Sequence, residues 1–334
     1  MSRFPSVSIV ENVDRTLFEH EIRPGNRPVV LKGLVSHWPA VRAARQSPEA
    51  LGAYLKLYDN GQPAKVSVCP ARENGRYFYK PDMSGMNYRD IPGRVGEVID
   101  RLLARRGQGD SIYIQAIRAE DHLPGLAREL PMPLLDASVA PRLWIGNDIL
   151  TQTHFDQSVN IACHVAGEKT FTLFAPDQIA NLYPGPLDLT PAGVPVSMVD
   201  LDSPDFERFP RFRHALASAC EARLEPGDAL FIPALWWHHV RTRGPLNLLV
   251  NYWWNEVPAE AYPPFVALYM AALSLKRVPT DQREAWRSLV DYFIFDEGGD
   301  PTGHLPGVKS VFRGDLTTSE IEAYKRNFRD NVKL

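Results

Sequence analysis

From about residue 110 to 255 the chain runs in short bursts of β-branched and aromatic residues, each bounded by Gly, Pro or Asp. SIYIQAI, RLWIGND, SVNIACHVAG, KTFTLFAP, DALFIPA and LNLLVNYWW have the length and the punctuation of strands. Ala166-Gly167-Glu168 falls between two of these runs and predicts a hairpin turn. Residues 183–214 break the pattern with a long Pro/Gly-rich excursion. A loop of that length inside a compact domain usually serves as a functional cover or a binding surface.

The flanks follow a different period. Pro28–Leu31 (PVVL) predicts a short strand, and Ser47-Pro48-Glu49 predicts a helix start. Serine accepts from the first free N–H groups there, and proline's fixed φ suits the first turn. Val95, Ile99, Leu102 and Leu103 share one face of a helix over 95–106. After Pro258 helical spacing returns over 264–276, 281–295 and 319–328, where Ser319-Glu320-Ile321-Glu322 offers a capping box. The 264–276 segment is apolar nearly all round and so needs a partner, its own barrel or a second subunit; the second is the expectation. Three stretches result: 1–109, helices and strands that pack on a barrel; 110–257, the strand-rich core; and 258–334, helical and suited to dimerisation.

Composition narrows the class. With 334 residues, 44% hydrophobic and 23% charged, the chain can bury a substantial core. A net charge of −3 exerts no overall pull on nucleic acid or an anionic membrane, which disfavours nucleic acid as a partner. The 29 prolines argue against an all-helical fold. Cys69, Cys163 and Cys220 are odd in number and lack CxxC spacing, so neither a disulfide framework nor a thiolate zinc site is indicated. The first twenty residues carry charges and no apolar h-region, and no uncharged apolar run is long enough to span a bilayer. The expected setting is the cytoplasm, away from membranes.

The candidate chemistry starts at Thr151-Gln152-Thr153-His154-Phe155-Asp156. Residues two apart in a strand share a face, so His154 and Asp156 project together, about 6.6 Å apart along the backbone. An imidazole and a carboxylate so placed can take adjacent positions on one metal ion. A third ligand must come from elsewhere, and the best candidate is His238, in Glu225-Pro226-Gly227-Asp228 through Trp237-His238-His239. Two histidines and a carboxylate leave coordination sites open, as non-haem Fe(II) oxygen chemistry requires. Strand alternation sends His239 to the opposite face. His164 shares the parity of His154 but lies about 33 Å further along an extended chain, outside the same metal site. His20, His37, His122, His214 and His304 have no motif around them.

Gly227, Pro233 and His238 match the spacing of the second cupin motif, with Leu235 in place of its usual glycine. With HFDQSVN, Lys169, FAPDQIANLYPGPLD, SPDFERFP, PGDALFIPALWWHHV, VNYWW and RPVVLKGLVSHWPAV, the chain resembles the JmjC-type, cupin-like 2-oxoglutarate oxygenases. Within that family it resembles most the asparaginyl hydroxylases that inhibit hypoxia-inducible factor. The resemblance implies a mainly β fold with flanking helices: a double-stranded β-helix (cupin or jelly-roll) barrel plus a C-terminal helical segment. It implies Fe(II) on His154, Asp156 and His238, and Lys169 as partner of the distal carboxylate of 2-oxoglutarate, with Tyr113 and Thr151 donating to the same group. Asn160 and Asn251 would line the cosubstrate or metal pocket, and Trp253 would lie near the iron. A dicarboxylate chelating iron at its keto-acid end needs one cation at its far end, so the set is chemically coherent. If Lys169 follows a hairpin turn, its strand runs back beside the one that carries His154.

The implied reaction consumes 2-oxoglutarate and O₂, releases succinate and CO₂, and hydroxylates an unactivated C–H. The implied substrate is a protein or peptide side chain (asparagine, aspartate or histidine), with RNA or a small molecule as the alternative. The implied assembly is a homodimer through the C-terminal helices. Two rivals remain on the same fold. A zinc or manganese cupin, such as a sugar-phosphate isomerase, would not need Lys169, Tyr113 and Thr151 together. A catalytically silent metal-binding scaffold would recognise a partner through the 183–214 loop.

Overall fold

The structure, a computed structural model, describes residues 3–105, 109–257, 261–305, 310–314 and 316–331. Twelve strands form one hydrogen-bonded network. They are β1 (Ser8–Glu11), β2 (Val29–Lys32), β3 (Ala64–Cys69), β4 (Arg76–Tyr77), β5 (Arg89–Gly93), β6 (Ser111–Arg118), β7 (Pro141–Gly146), β8 (Ile149–Phe155), β9 (Val159–Phe174), β10 (Cys220–Leu224), β11 (Ala229–Ile232) and β12 (Trp237–Trp254). The main path runs β1-β2-β11-β9-β12-β7-β6-β3-β5, while β10 pairs with β9, β8 with β12, and β4 with β8.

Two long strands, β9 and β12, are shared by two sheets. The first part of β12 (Trp237–Thr242) lies between β8 and the second part of β9; its second part (Asn247–Tyr252) lies between β7 and the first part of β9. A strand can leave one sheet and enter another through a bend or bulge, which makes the corner of a jelly roll. The predicted hairpin at Ala166-Gly167-Glu168 is therefore a kink within one continuous strand. Gly167 takes φ +85°, and a Cβ there would meet Asn247 Oδ1 at 1.8 Å. Opposite it, the register of β12 shifts between Arg243 and Leu248, around Gly244 at φ +119°. A glycine between two alternating runs marks a turn or a bulge equally well, and only the distant partner decides. Accordingly Lys169 does not run back beside β8. It pairs with Leu224 of β10 and Thr242 of β12, and β12 lies between β9 and β8.

Alternation along the strands splits the core in two. Leu31, Ile161, Phe231, Leu248 and Val250 face a layer of helices, where they meet Trp38, Leu51, Leu55, Ile99 and Leu102. Their neighbours Val30, Ala162, Leu230 and Leu249 face inward with Phe171, Leu173 and Val240. Strands buried on both faces read as nearly continuous apolar runs, as DALFIPA and LNLLVNYWW do. The helix layer is α1 (Pro39–Gln46), α2 (Pro48–Lys56) and α3 (Val95–Arg105). Ser47 Oγ accepts from Ala50 N at the start of α2, as its N-cap position requires. Arg106, the last residue of the predicted third helix, lies outside the described residues.

The chain divides into two compact units, Met1–Trp254 and Asn255–Leu334; the expected boundary residue Pro258 lies outside the described residues. In the second unit three longer helices follow one another: α4 (Pro264–Leu275), α5 (Thr280–Ile294) and α6 (Thr318–Asn331). The capping box of α6 is not the Ser319–Glu322 predicted. Thr317 and Glu320 form it instead: Thr317 N donates to Glu320 Oε2 at 2.9 Å, and Glu320 N to Thr317 Oγ1. The two sites differ by two residues because both threonine and serine fit the motif. Among the described residues no helix is long and apolar enough to cross a membrane, and all three cysteines are free.

Candidate metal centre

His154 is the penultimate residue of β8, and Asp156 follows directly after its end. His238 lies opposite His154 in the β8–β12 pairing, so the two rings face each other with centroids 4.3 Å apart. His238 Nε2 lies 3.8 Å from Asp156 Oδ2. One donor atom from each of the three side chains falls within 4.8 Å of the others. Residues remote in sequence converge here because antiparallel partners directly opposite project to the same face.

The protonation pattern suits a metal. Nδ1 of His154 lies 2.8 Å from Gln152 O, and Nδ1 of His238 lies 3.1 Å from Trp236 O. A backbone carbonyl can only accept, so each Nδ1 carries the proton and each Nε2 keeps its lone pair toward the site. Burial, reinforced by His238, pushes the His154 imidazole down to about 4, which leaves it neutral at neutral pH. On the third side chain of the cluster, Asn160 Nδ2 donates to Asp156 Oδ2 at 3.2 Å, and Asn251 Nδ2 donates to Asn160 Oδ1 at 2.8 Å. Both asparagines are thus gathered behind the carboxylate. Leu235 N donates to Asp156 O at 2.8 Å, which ties the turn before β12 to the ligand's own backbone. Two imidazoles and one carboxylate, held from one side, fit a divalent transition metal with open positions.

A cavity of about 330 Å³ opens beside this cluster, lined by His154, Asp156, Tyr113, Thr151, Trp144 and Trp253. Pro191, Ala192, Gly193 and Val196 of the long excursion line it as well. The excursion is fastened to β8: Ser197 N donates to Thr153 O at 2.7 Å, and Gln152 Nε2 donates to Ser197 O and Val199 O. Tyr113 is hydrogen-bonded to Thr151, and burial raises its phenol pKa, so it stays a neutral donor.

Lys169 shares the interior face by register. It stands opposite Thr242, which stands opposite Ile149; two residues on, Phe171, Val240 and Thr151 form the next row, and Leu173, His238 and His154 the row after that. Only 6% of Lys169 is exposed. Its side chain has no hydrogen bond or ion pair among the described residues, and burial pushes its ammonium down to about 7. A buried cation without a counter-ion is costly, and an anionic ligand would offset that cost.

His239 points to the opposite face, where its Nδ1 meets Thr153 Oγ1 at 3.2 Å. His164 does not join the metal cluster; it lies on the interior face of β9, opposite Leu249. His20, His37, His122, His214 and His304 are exposed or half-buried, and none belongs to the cluster. Sequence reading missed Gln152, which orients a ligand through its carbonyl and holds the excursion through its amide. It also missed Trp144 as a cavity wall. Neither carries a motif; Gln152 could have been suspected only as the residue two before a candidate ligand on the same strand.

Residues 15–260 match the family described as "Cupin-like domain". Lysine-specific demethylase 8 of Xenopus tropicalis is 26% identical over 248 residues, 71% of this chain and 50% of that protein. The tRNA wybutosine-synthesizing protein 5 of Danio rerio is 28% identical over 288 residues, 77% of each chain. Its human counterpart is 36% identical over 279 residues, 76% of this chain and 79% of that one. The match thus spans only half of the demethylase but more than three quarters of these two wybutosine-synthesizing proteins, 77% and 79%.

Proposed function

Because the chain belongs to the JmjC-type, cupin-like family, we propose that it is an iron(II)- and 2-oxoglutarate-dependent oxygenase that hydroxylates an unactivated C–H bond on a protein side chain. The observation that carries this reading is the pairing of two features on one barrel face. A His154–Asp156–His238 cluster brings one donor atom of each side chain within 4.8 Å of the others, and a buried, unpaired Lys169 stands two rows away. An isomerase on the same fold would have no use for the second feature.

Each side chain then has a defined task. His154, Asp156 and His238 would hold Fe(II), and the two carbonyls on their Nδ1 atoms would keep the imidazoles in the binding tautomer. Bound iron with 2-oxoglutarate and O₂ supplies the oxidising power, with succinate and CO₂ as coproducts. Lys169 would neutralise the distal carboxylate, with Tyr113 and Thr151 donating to it. Asn160 holds the Asp156 carboxylate in place. Trp253, Trp144 and the excursion residues around Gly193 give the cavity a largely apolar wall, which limits water around the reacting atoms.

A second reading concerns the substrate alone. The human relative that covers most of both chains carries a tRNA-modifying name, which supports RNA as the alternative to a protein; the demethylase relative supports an N-methylated lysine. The second unit's apolar helices would join two copies, and a cytoplasmic setting would keep iron and the three free thiols reduced.

The test is Fe(II)-dependent succinate formation in wild type, His154→Ala and Asp156→Ala, followed by mass spectrometry of a peptide library and of total tRNA. Activity should require both ligands, and one substrate pool should gain an oxygen atom or lose a methyl group as formaldehyde. Succinate release that is indifferent to Asp156 would overturn the reading.

A further inference from the structure

His164 is fully buried on the interior face of β9. Its main chain is anchored on both sides: His164 N donates to Asp228 O, and Gly227 N donates to His164 O, each at 2.8 Å. Its ring crosses the kink of the same strand, with Nε2 2.9 Å from Gly167 O. The carbonyl can only accept, so Nε2 carries the proton. Nδ1 is then a lone pair, buried and without a partner. Leaving such an atom unsatisfied is costly, so something is expected to use it.

Lys169 is five residues on, beyond the kink and on the same interior face, as its opposition to Thr242 and that of Phe171 to Val240 show. Its positive charge reaches His164 and, after burial, is the main influence that holds the imidazole neutral. One wall of one barrel thus carries a buried acceptor without a donor and a buried donor without an acceptor. Tyr113 and Thr151, which line the cavity beside these groups, are neutral hydroxyls. Asp228 acts on His164 from the neighbouring turn but is paired with Lys32 at 3.1 Å.

We propose that His164 is the positioning residue for Lys169: it fixes the Gly167 kink through Nε2 and presents Nδ1 as the acceptor that aims the ammonium at the distal carboxylate of 2-oxoglutarate. This rests on the reading of Lys169 as the partner of that carboxylate. The kink sets where the lysine leaves the strand, and the lone pair sets where its head comes to rest. The ammonium has three protons, so it can keep the imidazole contact and still donate to a carboxylate.

The test is calorimetric titration of 2-oxoglutarate into the Mn(II)-loaded protein, which reads binding without turnover. His164→Leu should weaken binding about tenfold, as expected for one lost hydrogen bond to a charged group. His164→Gln, which has both a donor and an acceptor, should stay within about threefold of wild type. Lys169→Met should weaken it further, and His164→Leu combined with Lys169→Met should be no weaker than Lys169→Met alone, because the two act as a unit. Mn(II) affinity should be unchanged throughout. Should the leucine variant not fold, His164→Asn, too short to reach Gly167 O, replaces it with the same expected loss.

Wild-type affinity in His164→Leu, a loss in His164→Gln as large as in His164→Leu, or a full further loss on the Lys169→Met background would overturn the contact. If Lys169→Met itself bound normally, the cosubstrate reading would fall, and the inference with it.

Discussion

Leu235 holds a left-handed backbone at φ +65°, where the cupin motif usually has glycine. That conformation costs a non-glycine residue roughly 1–2 kcal/mol. The side chain is 47% exposed, so it gains little from packing in return. Leu235→Gly should therefore stabilise the protein by about 0.5–1 kcal/mol, after allowing for the looser unfolded chain, read as a higher urea midpoint at unchanged slope. Lys169 gives a pH signature. Its ammonium titrates near 7 in the folded protein and near 10.5 once unfolded. Between these values the unfolded chain binds more protons, so the ligand-free protein gains stability as pH rises, and the penalty is present in full below 7. Lys169→Met should thus exceed wild type in stability at pH 6.5 by a few kcal/mol, with the gap closing toward pH 10; a gap independent of pH would refute this. The triad was legible in sequence because HxD has a fixed spacing and the second motif supplied the third ligand. His164 was not, because its significance lies in an unfilled nitrogen and a neighbour beyond a kink.

At the scale of elements, strand existence was legible and strand partnership was not. All six apolar runs of the core are strands, yet two of them merge into β9, and LNLLVNYWW is only the second part of β12, which begins at Trp237; both long strands pass through two sheets. Local alternation cannot reveal whether a central glycine reverses the chain or only bends it. Gly167→Ala probes the bend: the added methyl would meet Asn247 Oδ1 at 1.8 Å on a backbone with φ +85°. Asn247 cannot yield freely, since its amide donates to Asn147 O and Gly244 O. A loss of about 2–4 kcal/mol in chemical denaturation is expected, together with weaker 2-oxoglutarate binding because Lys169 follows two residues later.

At the scale of the molecule, α4 of the second unit exposes Val266, Leu268, Tyr269, Met270 and Leu273, and that helix buries none of its residues. A helix apolar all round is stable in water only when covered. The expected outcome is a dimer in sedimentation equilibrium that Leu268→Glu with Leu273→Glu converts to monomer; a monomeric wild type would remove this surface from consideration. The ladder of β8, β12 and β9 has a consequence of another kind. The row of His154 and His238 and the row of Lys169 are rungs of one hydrogen-bonded frame, so the gap between the His–Asp–His cluster and the ammonium is a fixed gauge. If the proposed cosubstrate binds there, the gauge selects a diacid of one chain length: homologues one carbon shorter or longer should reach only one of the two jaws at a time.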